Sequence, residues 1–246
     1  MSGCMSRLTS WNCRSFSQDP RLVEPPLPCG DPGPSSADPQ NAHMTADFAA
    51  RRGIVDRESG AASALAARKE MTSRAAAQLG AAPALDDTDL TMFGLLTRLQ
   101  AFNEGATREI AADNPFASAS CIRSLAEVVA LICYLIEKPQ ELRRVSIHAS
   151  DQDRFNIGKL LMAAHREASG FKAVYEQLSN FAHPSYAGST VSMKLMDDNH
   201  FTWTSAPSFK YDSEACTMYL WILELTEAGG TLWCRLYDRT RGSKES

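Results

Sequence analysis

The strongest constraint on the fold is an apolar stretch between Asn114-Pro115 and Pro139, two steps that interrupt a helix. On a helical wheel its apolar residues leave almost no polar side from Leu125 onward. A helix that is apolar all round must be surrounded by other elements, so the sequence predicts a central helix in which Leu131 and Ile132 are both buried. The apolar residues of this stretch are Ile122, Leu125, Val128, Val129, Leu131, Ile132, Tyr134, Leu135 and Ile136.

Helix caps and chain breaks predict the other elements of the compact region. Ser118 or Ser120 can cap the central helix, and Asp87 or Thr88 can cap the helix before it. After residue 188 the pattern alternates, which indicates two strands joined by a turn at 197–199. A lone hairpin is marginal in water, so we expect it to lie on the helices. The expected elements are a helix from about 88, the central helix, a short helix at 140–145, a helix after 153 that ends at Gly170, a helix at 171–182, strands at 189–196 and 201–205, and an apolar helix at 213–225 that 232–237 extends beyond Gly229-Gly230.

The chain divides into four parts by composition. Residues 1–43 hold seven of the twelve prolines and read as disordered, and Met44, where the composition changes, is a second candidate start. Residues 44–84 predict one long alanine-rich helix whose thin apolar stripe packs loosely or projects into solvent. Residues 85–238 form the helical domain, and 239–246 a disordered tail. The fold class is mostly α, a helical bundle with a small β-hairpin near the C-terminal third.

Composition and motifs exclude several function classes. The formal net charge of -4 provides no general attraction for nucleic acid or membranes. The longest uncharged apolar runs are nine residues, whereas a membrane span needs roughly 20, so we expect no membrane partner. Seven cysteines without a C-x-x-C pair, and no evident secretory signal, favour a cytoplasmic protein. The five histidines lack metal-ligand spacing and no phosphate-binding loop is present, so we expect no metal and no cofactor.

Arg123 and Glu127 stand four residues apart in the central helix and therefore share one face. Charges in such a helix are costly unless they are paired. One interpretation is a polar pocket in which Arg123 grips a phosphate or carboxylate. The alternative is a structural network, or a pair on the partly exposed first turns of the helix.

A second polar set lies at the end of the helix over 171–182. Tyr175, Ser179 and His183 recur every four residues beside an apolar face, so they can present two hydroxyls and an imidazole to one groove. His183 lies at a helix C-terminus, where the helix dipole favours its protonated form, which suits a general acid or a cation facing a phosphate. Alternatively, His183 caps the helix and Ser185 makes a turn.

Arg123-Ser124-x-x-Glu127, followed by Leu178-Ser179-x-x-x-His183-Pro184 and a hairpin, resembles a poorly characterised bacterial branch of the HEPN-like helical superfamily. The likeness covers about residues 115–190. It implies a metal-independent ribonuclease of the toxin, antiphage or RNA-processing type, formed as a homodimer. The family signature is an Arg, then four to six intervening residues, then a His. Here those positions hold Glu176, Gln177 and Leu178, so the positive charge would come from Arg123.

Two functions are therefore expected. In the first, His183 is the acid or base of an RNA-cleaving or RNA-binding protein, Arg123 and Glu127 complete the catalytic set, and Tyr175, Ser179 and Ser185 contact the substrate. In the second, the chain is a non-catalytic module that binds a nucleotide or protein partner, and the same residues hold the helices in register.

Overall fold

The computed structural model describes residues 47–80, 85–146, 155–182, 193–197, 200–203 and 206–242. They form a bundle of helices with one antiparallel hairpin, which confirms the predicted fold class. A short helical segment at 47–51 precedes the first long helix. The elements are α1 (Arg57–Gly80), α2 (Asp87–Ala111), α3 (Pro115–Glu137), a 3-10 helix (Pro139–Val145), α4 (Ile157–Glu167), α5 (Phe171–Ala182), β1 (Met193–Asp197), β2 (His200–Trp203) and α6 (Asp212–Gly242).

Helix α3 is the centre of the bundle, as predicted, and packs against α2, α4, α5 and α6. It begins earlier than expected, because the side chain of Asn114 accepts a hydrogen bond from the Ala117 N–H at 3.2 Å and Pro115 suits the first helical position. The predicted starts at Ser118 and Ser120 are therefore wrong. Ile132 is fully buried, whereas Leu131 is only half-buried against the core.

By length and composition α3 could cross a membrane, and it is the only helix in the described ranges that could. However, 67% of its most apolar stretch is buried inside the protein. The core helix of a globular protein has the same character, so this is weak evidence for a membrane span.

The alanine-rich region differs from its prediction in two ways. It is not one helix, because a turn with Gly53 at a φ of +79° separates 47–51 from α1. It also packs closely instead of loosely. The buried stripe of α1 includes Ala64, Ala67, Met71 and Ala75, and it lies directly on α6. Small side chains let two helix backbones approach closely, so a thin stripe is sufficient for a tight interface.

Helix α6 is continuous over 31 residues and includes both apolar stretches expected from the sequence, 213–225 and 232–237. It passes through Gly229 and Gly230, where a Cβ on Gly230 would stand 2.9 Å from Cγ of Met71. The glycines therefore permit close packing and do not end the helix. The prediction of a disordered tail from residue 239 is wrong as far as Gly242, because Thr240 is buried and Arg241 binds Asp89.

Helix α2 begins with a capping box. The N-cap is Asp86 instead of Asp87 or Thr88: its side chain accepts from the Asp89 N–H at 3.1 Å, and the Asp89 side chain accepts from the Asp86 N–H at 2.8 Å. The helix buries Leu95, Leu96 and Leu99, but Leu90 and Phe93 are exposed near its start. Helix α2 also buries three polar residues that the apolar pattern did not predict to be buried, Asp89, Thr91 and Asn103.

The hairpin is present but shorter than predicted. Met193 pairs with Trp203, and a bulge shifts the register between Leu195 and Asp197, which pairs with His200. Residues 189–192, 198–199 and 204–205 lie outside the described ranges. The side chain of Trp203 in β2 is 65% exposed.

Candidate functional site

The candidate site lies where α5 packs across the first half of α3. Arg123 and Glu127 stand one turn apart on α3, and Tyr175 and Ser179 stand one turn apart on α5. Phe171, Val174 and Leu178 form the predicted inward face of α5 and are buried. Consecutive residues of a helix point in directions about 100° apart. Because Val174 is buried in that face, the neighbouring Tyr175 is directed towards α3.

Arg123, Glu127 and Tyr175 form one hydrogen-bonded cluster. The Tyr175 hydroxyl donates to Oε1 of Glu127 at 2.8 Å. Nε of Arg123 donates to the same Oε1 and to the Tyr175 oxygen, each at 3.2 Å. The guanidinium carbon also lies 5.4 Å from the centre of the Tyr175 ring, a cation–π distance. We call these three residues the Arg–Glu–Tyr cluster.

The cluster is partly open to solvent. The side chains of Arg123 and Glu127 are 25% and 38% exposed, whereas Tyr175 is buried. Desolvation and the hydrogen bond to Glu127 raise the pKa of Tyr175, although Arg123 opposes the shift. Desolvation lowers the pKa of Arg123, but the hydrogen bond to Tyr175 and the charge of Glu127 outweigh it and raise that pKa overall. At neutral pH Arg123 is therefore a cation and Tyr175 a neutral phenol.

The remaining predicted site residues lie beyond or beside this cluster. Ser179 follows Tyr175 by one turn, and its hydroxyl oxygen is enclosed with no hydrogen-bond partner within the part of the chain that is described. His183 and Ser185 lie outside the described residues. The convergence of His183 with Arg123 and Glu127 thus stays a prediction.

No group of three or more His, Cys, Asp or Glu side chains within the described ranges could hold a metal ion. The polar atoms of the Arg–Glu–Tyr cluster are one guanidinium, one carboxylate and one phenol. A cation bound by Glu127 would face the positive charge of Arg123. An anion such as a phosphate would meet a guanidinium that is already paired with Glu127.

Sequence reasoning missed a second polar cluster, between the start of α2 and the end of α6. Asp89 is fully buried and binds the guanidinium of Arg241, which also pairs with Asp86 at 3.5 Å. The capping pattern Asp86-x-x-Asp89 was a usable signal at one end. No local pattern linked it to Arg241, since the two lie 152 residues apart.

Comparison with protein-family models, with curated proteins and with solved structures finds no match for this chain. The resemblance to HEPN-like proteins therefore depends on the residues Arg123, Glu127, Ser179 and His183 themselves.

Proposed function

We propose that the protein is a HEPN-like helical protein that binds RNA and cleaves it without a metal ion, in a toxin or antiphage role. The observation that carries the proposal is a contact between α3 and α5. Nε of Arg123 on α3 reaches the Tyr175 hydroxyl on α5, 52 residues away, so the first motif lies against the helix that leads into the second motif. Tyr175 begins the stripe that Ser179 and His183 continue along the chain.

Each residue has a role in this proposal. His183 is the proton donor or acceptor, and Arg123 stabilises the negative charge on the scissile phosphate. Glu127 and Tyr175 are positioning residues, because their hydrogen bonds fix the guanidinium from two sides. Ser185 contacts the RNA backbone, whereas the enclosed hydroxyl of Ser179 does not reach it in this structure, and a second copy of the chain completes the site.

The test is incubation of the purified protein with mixed RNA in EDTA, from pH 5 to 8. We expect cleavage by the wild type and its loss in His183→Ala and Arg123→Ala. His165→Ala is the matched control, because His165 is an exposed histidine on α4 and does not belong to the cluster, and it should retain activity. Cleavage by His183→Ala at the wild-type rate would exclude the assigned role of that histidine.

A non-catalytic module is the second candidate, favoured by one observation. Arg123, Glu127 and Tyr175 satisfy one another, and Glu127 neutralises the charge that Arg123 would offer to a ligand. A cluster of this kind can hold α3 and α5 in register without any substrate. In that case RNA stays intact and unbound at every pH, and His183→Ala lowers the melting temperature because a helix cap is lost.

A further inference from the structure

The polar cluster that joins the start of α2 to the end of α6 contains three unsatisfied atoms. We call Asp86, Asp89, Tyr237 and Arg241 the α2–α6 polar cluster. Oδ1 of Asp89, Nε of Arg241 and the hydroxyl of Tyr237 are all enclosed, and none has a hydrogen-bond partner among the described residues. Buried polar atoms are nearly always hydrogen-bonded, so three exceptions at one place require an explanation.

The three atoms lie close together. Nη2 of Arg241 binds Oδ2 of Asp89, and the unsatisfied Nε and Oδ1 belong to the same guanidinium and the same carboxylate. The pKa of Arg241 is raised first by its hydrogen bond to Asp89 and then, to a smaller extent, by the Tyr237 hydroxyl. That hydroxyl therefore lies near the guanidinium, although it is not in hydrogen-bonding geometry with it.

The surrounding packing holds Tyr237 in place. Its ring stacks on Trp233 with centroids 5.4 Å apart and planes 8° from parallel, and Nε1 of Trp233 is anchored on the Met92 carbonyl at 2.8 Å. The guanidinium of Arg241 covers the same ring at 5.6 Å. With the ring fixed from these sides, the hydroxyl cannot easily turn towards a distant partner.

We propose that the α2–α6 polar cluster binds one enclosed water molecule, which accepts from Arg241 Nε, donates to Asp89 Oδ1 and hydrogen-bonds the Tyr237 hydroxyl. A buried water in a protein typically makes about three hydrogen bonds, and these three atoms supply that number. The charges of Asp89 and Arg241 balance, and the second carboxylate, Asp86, already accepts from two N–H groups of α2 and pairs with Arg241, so the three unsatisfied atoms call for a neutral donor and acceptor. The water would tie the last turn of α6 to the first turn of α2.

The solution test is the variant Tyr237→Phe, with unfolding measured in urea. If the hydroxyl binds the water, its removal should raise the unfolding constant about fivefold, the effect of one hydrogen bond of about 1 kcal/mol. Tyr134→Phe is the matched control, because Tyr134 is also buried but its hydroxyl is not one of the enclosed unsatisfied atoms. We expect a smaller change in that variant.

The opposite result is equally clear. Removing a buried hydroxyl that binds nothing is neutral or stabilising, so a Tyr237→Phe protein as stable as the wild type, or more stable, overturns the proposal. A crystal structure of the wild type provides the second measurement. Density for one solvent molecule within hydrogen-bond distance of the three atoms supports the proposal, and a hydroxyl bonded directly to Asp89 or Arg241 overturns it.

Discussion

The end of α6 provides the sharpest test of the packing, through the variant Arg241→Ala. Asp89 is fully buried, and its carboxylate binds the Arg241 guanidinium and the Asp86 N–H. Removing one partner of a buried ion pair costs about 3–5 kcal/mol, because a buried charge is left uncompensated. The Asp86 N–H and the α2 dipole still favour the carboxylate, and the Arg241 side chain is 27% exposed, so we expect the lower end, about 3 kcal/mol.

The assay is urea unfolding at fixed pH and ionic strength, with Arg239→Ala as the matched control. Arg239 is an exposed arginine in the same helical turn, so its removal should change the free energy of unfolding by less than about 0.5 kcal/mol. Adding Asp89→Asn to Arg241→Ala should recover part of the loss, since the stranded charge is then absent. Equal free energies of unfolding for Arg241→Ala and Arg239→Ala would refute this reasoning. They would favour the prediction from the sequence that the tail from residue 239 is disordered.

Two further predictions concern α6 and its neighbours. Burial raises the pKa of Glu224 to about 7 against the opposing charge of Arg52, so the folded state binds this proton more tightly than the unfolded state does. The free energy of unfolding should therefore fall as the pH rises from about 4.5 to 7. In this range the Glu224→Gln variant should give a flatter plot of melting temperature against pH than the wild type. The same curve for both proteins would contradict the prediction. Gly230→Ala should destabilise by about 1–2 kcal/mol, because overpacking against Met71 exceeds the gain in helix propensity. The control is Gly94→Ala, where the added methyl group meets open space, and this variant should raise the free energy of unfolding by up to about 1 kcal/mol. Similar urea midpoints for Gly230→Ala and Gly94→Ala would exclude a close α1–α6 contact.

Local sequence determined the type of most elements. The period of α3 predicted a central buried helix, and the breaks at Asn114-Pro115 and Pro139 bounded it to within a few residues. The limits of α5 agree with the prediction, Phe171 to Ala182. These properties depend on backbone geometry and on neighbours one or two turns away, which the sequence contains directly.

The candidate site could be predicted only in halves. Spacing placed Arg123 and Glu127 on one face of α3, and it placed Tyr175 and Ser179 on one stripe of α5. That the Tyr175 hydroxyl binds both residues of the pair follows from how α5 crosses α3, and no pattern within either helix contains that information.

Tertiary packing decided the rest, most clearly in α6. The sequence by itself determined that its segments are helical, but Gly229-Gly230 and the charged end of the chain are locally poor helix signals. Once Met71 packs against Gly230 and the buried Asp89 needs a cation, a continuous helix that delivers Arg241 is the favourable solution. The physical reason is that desolvated charges and close backbone contacts outweigh propensities of about 1 kcal/mol per residue.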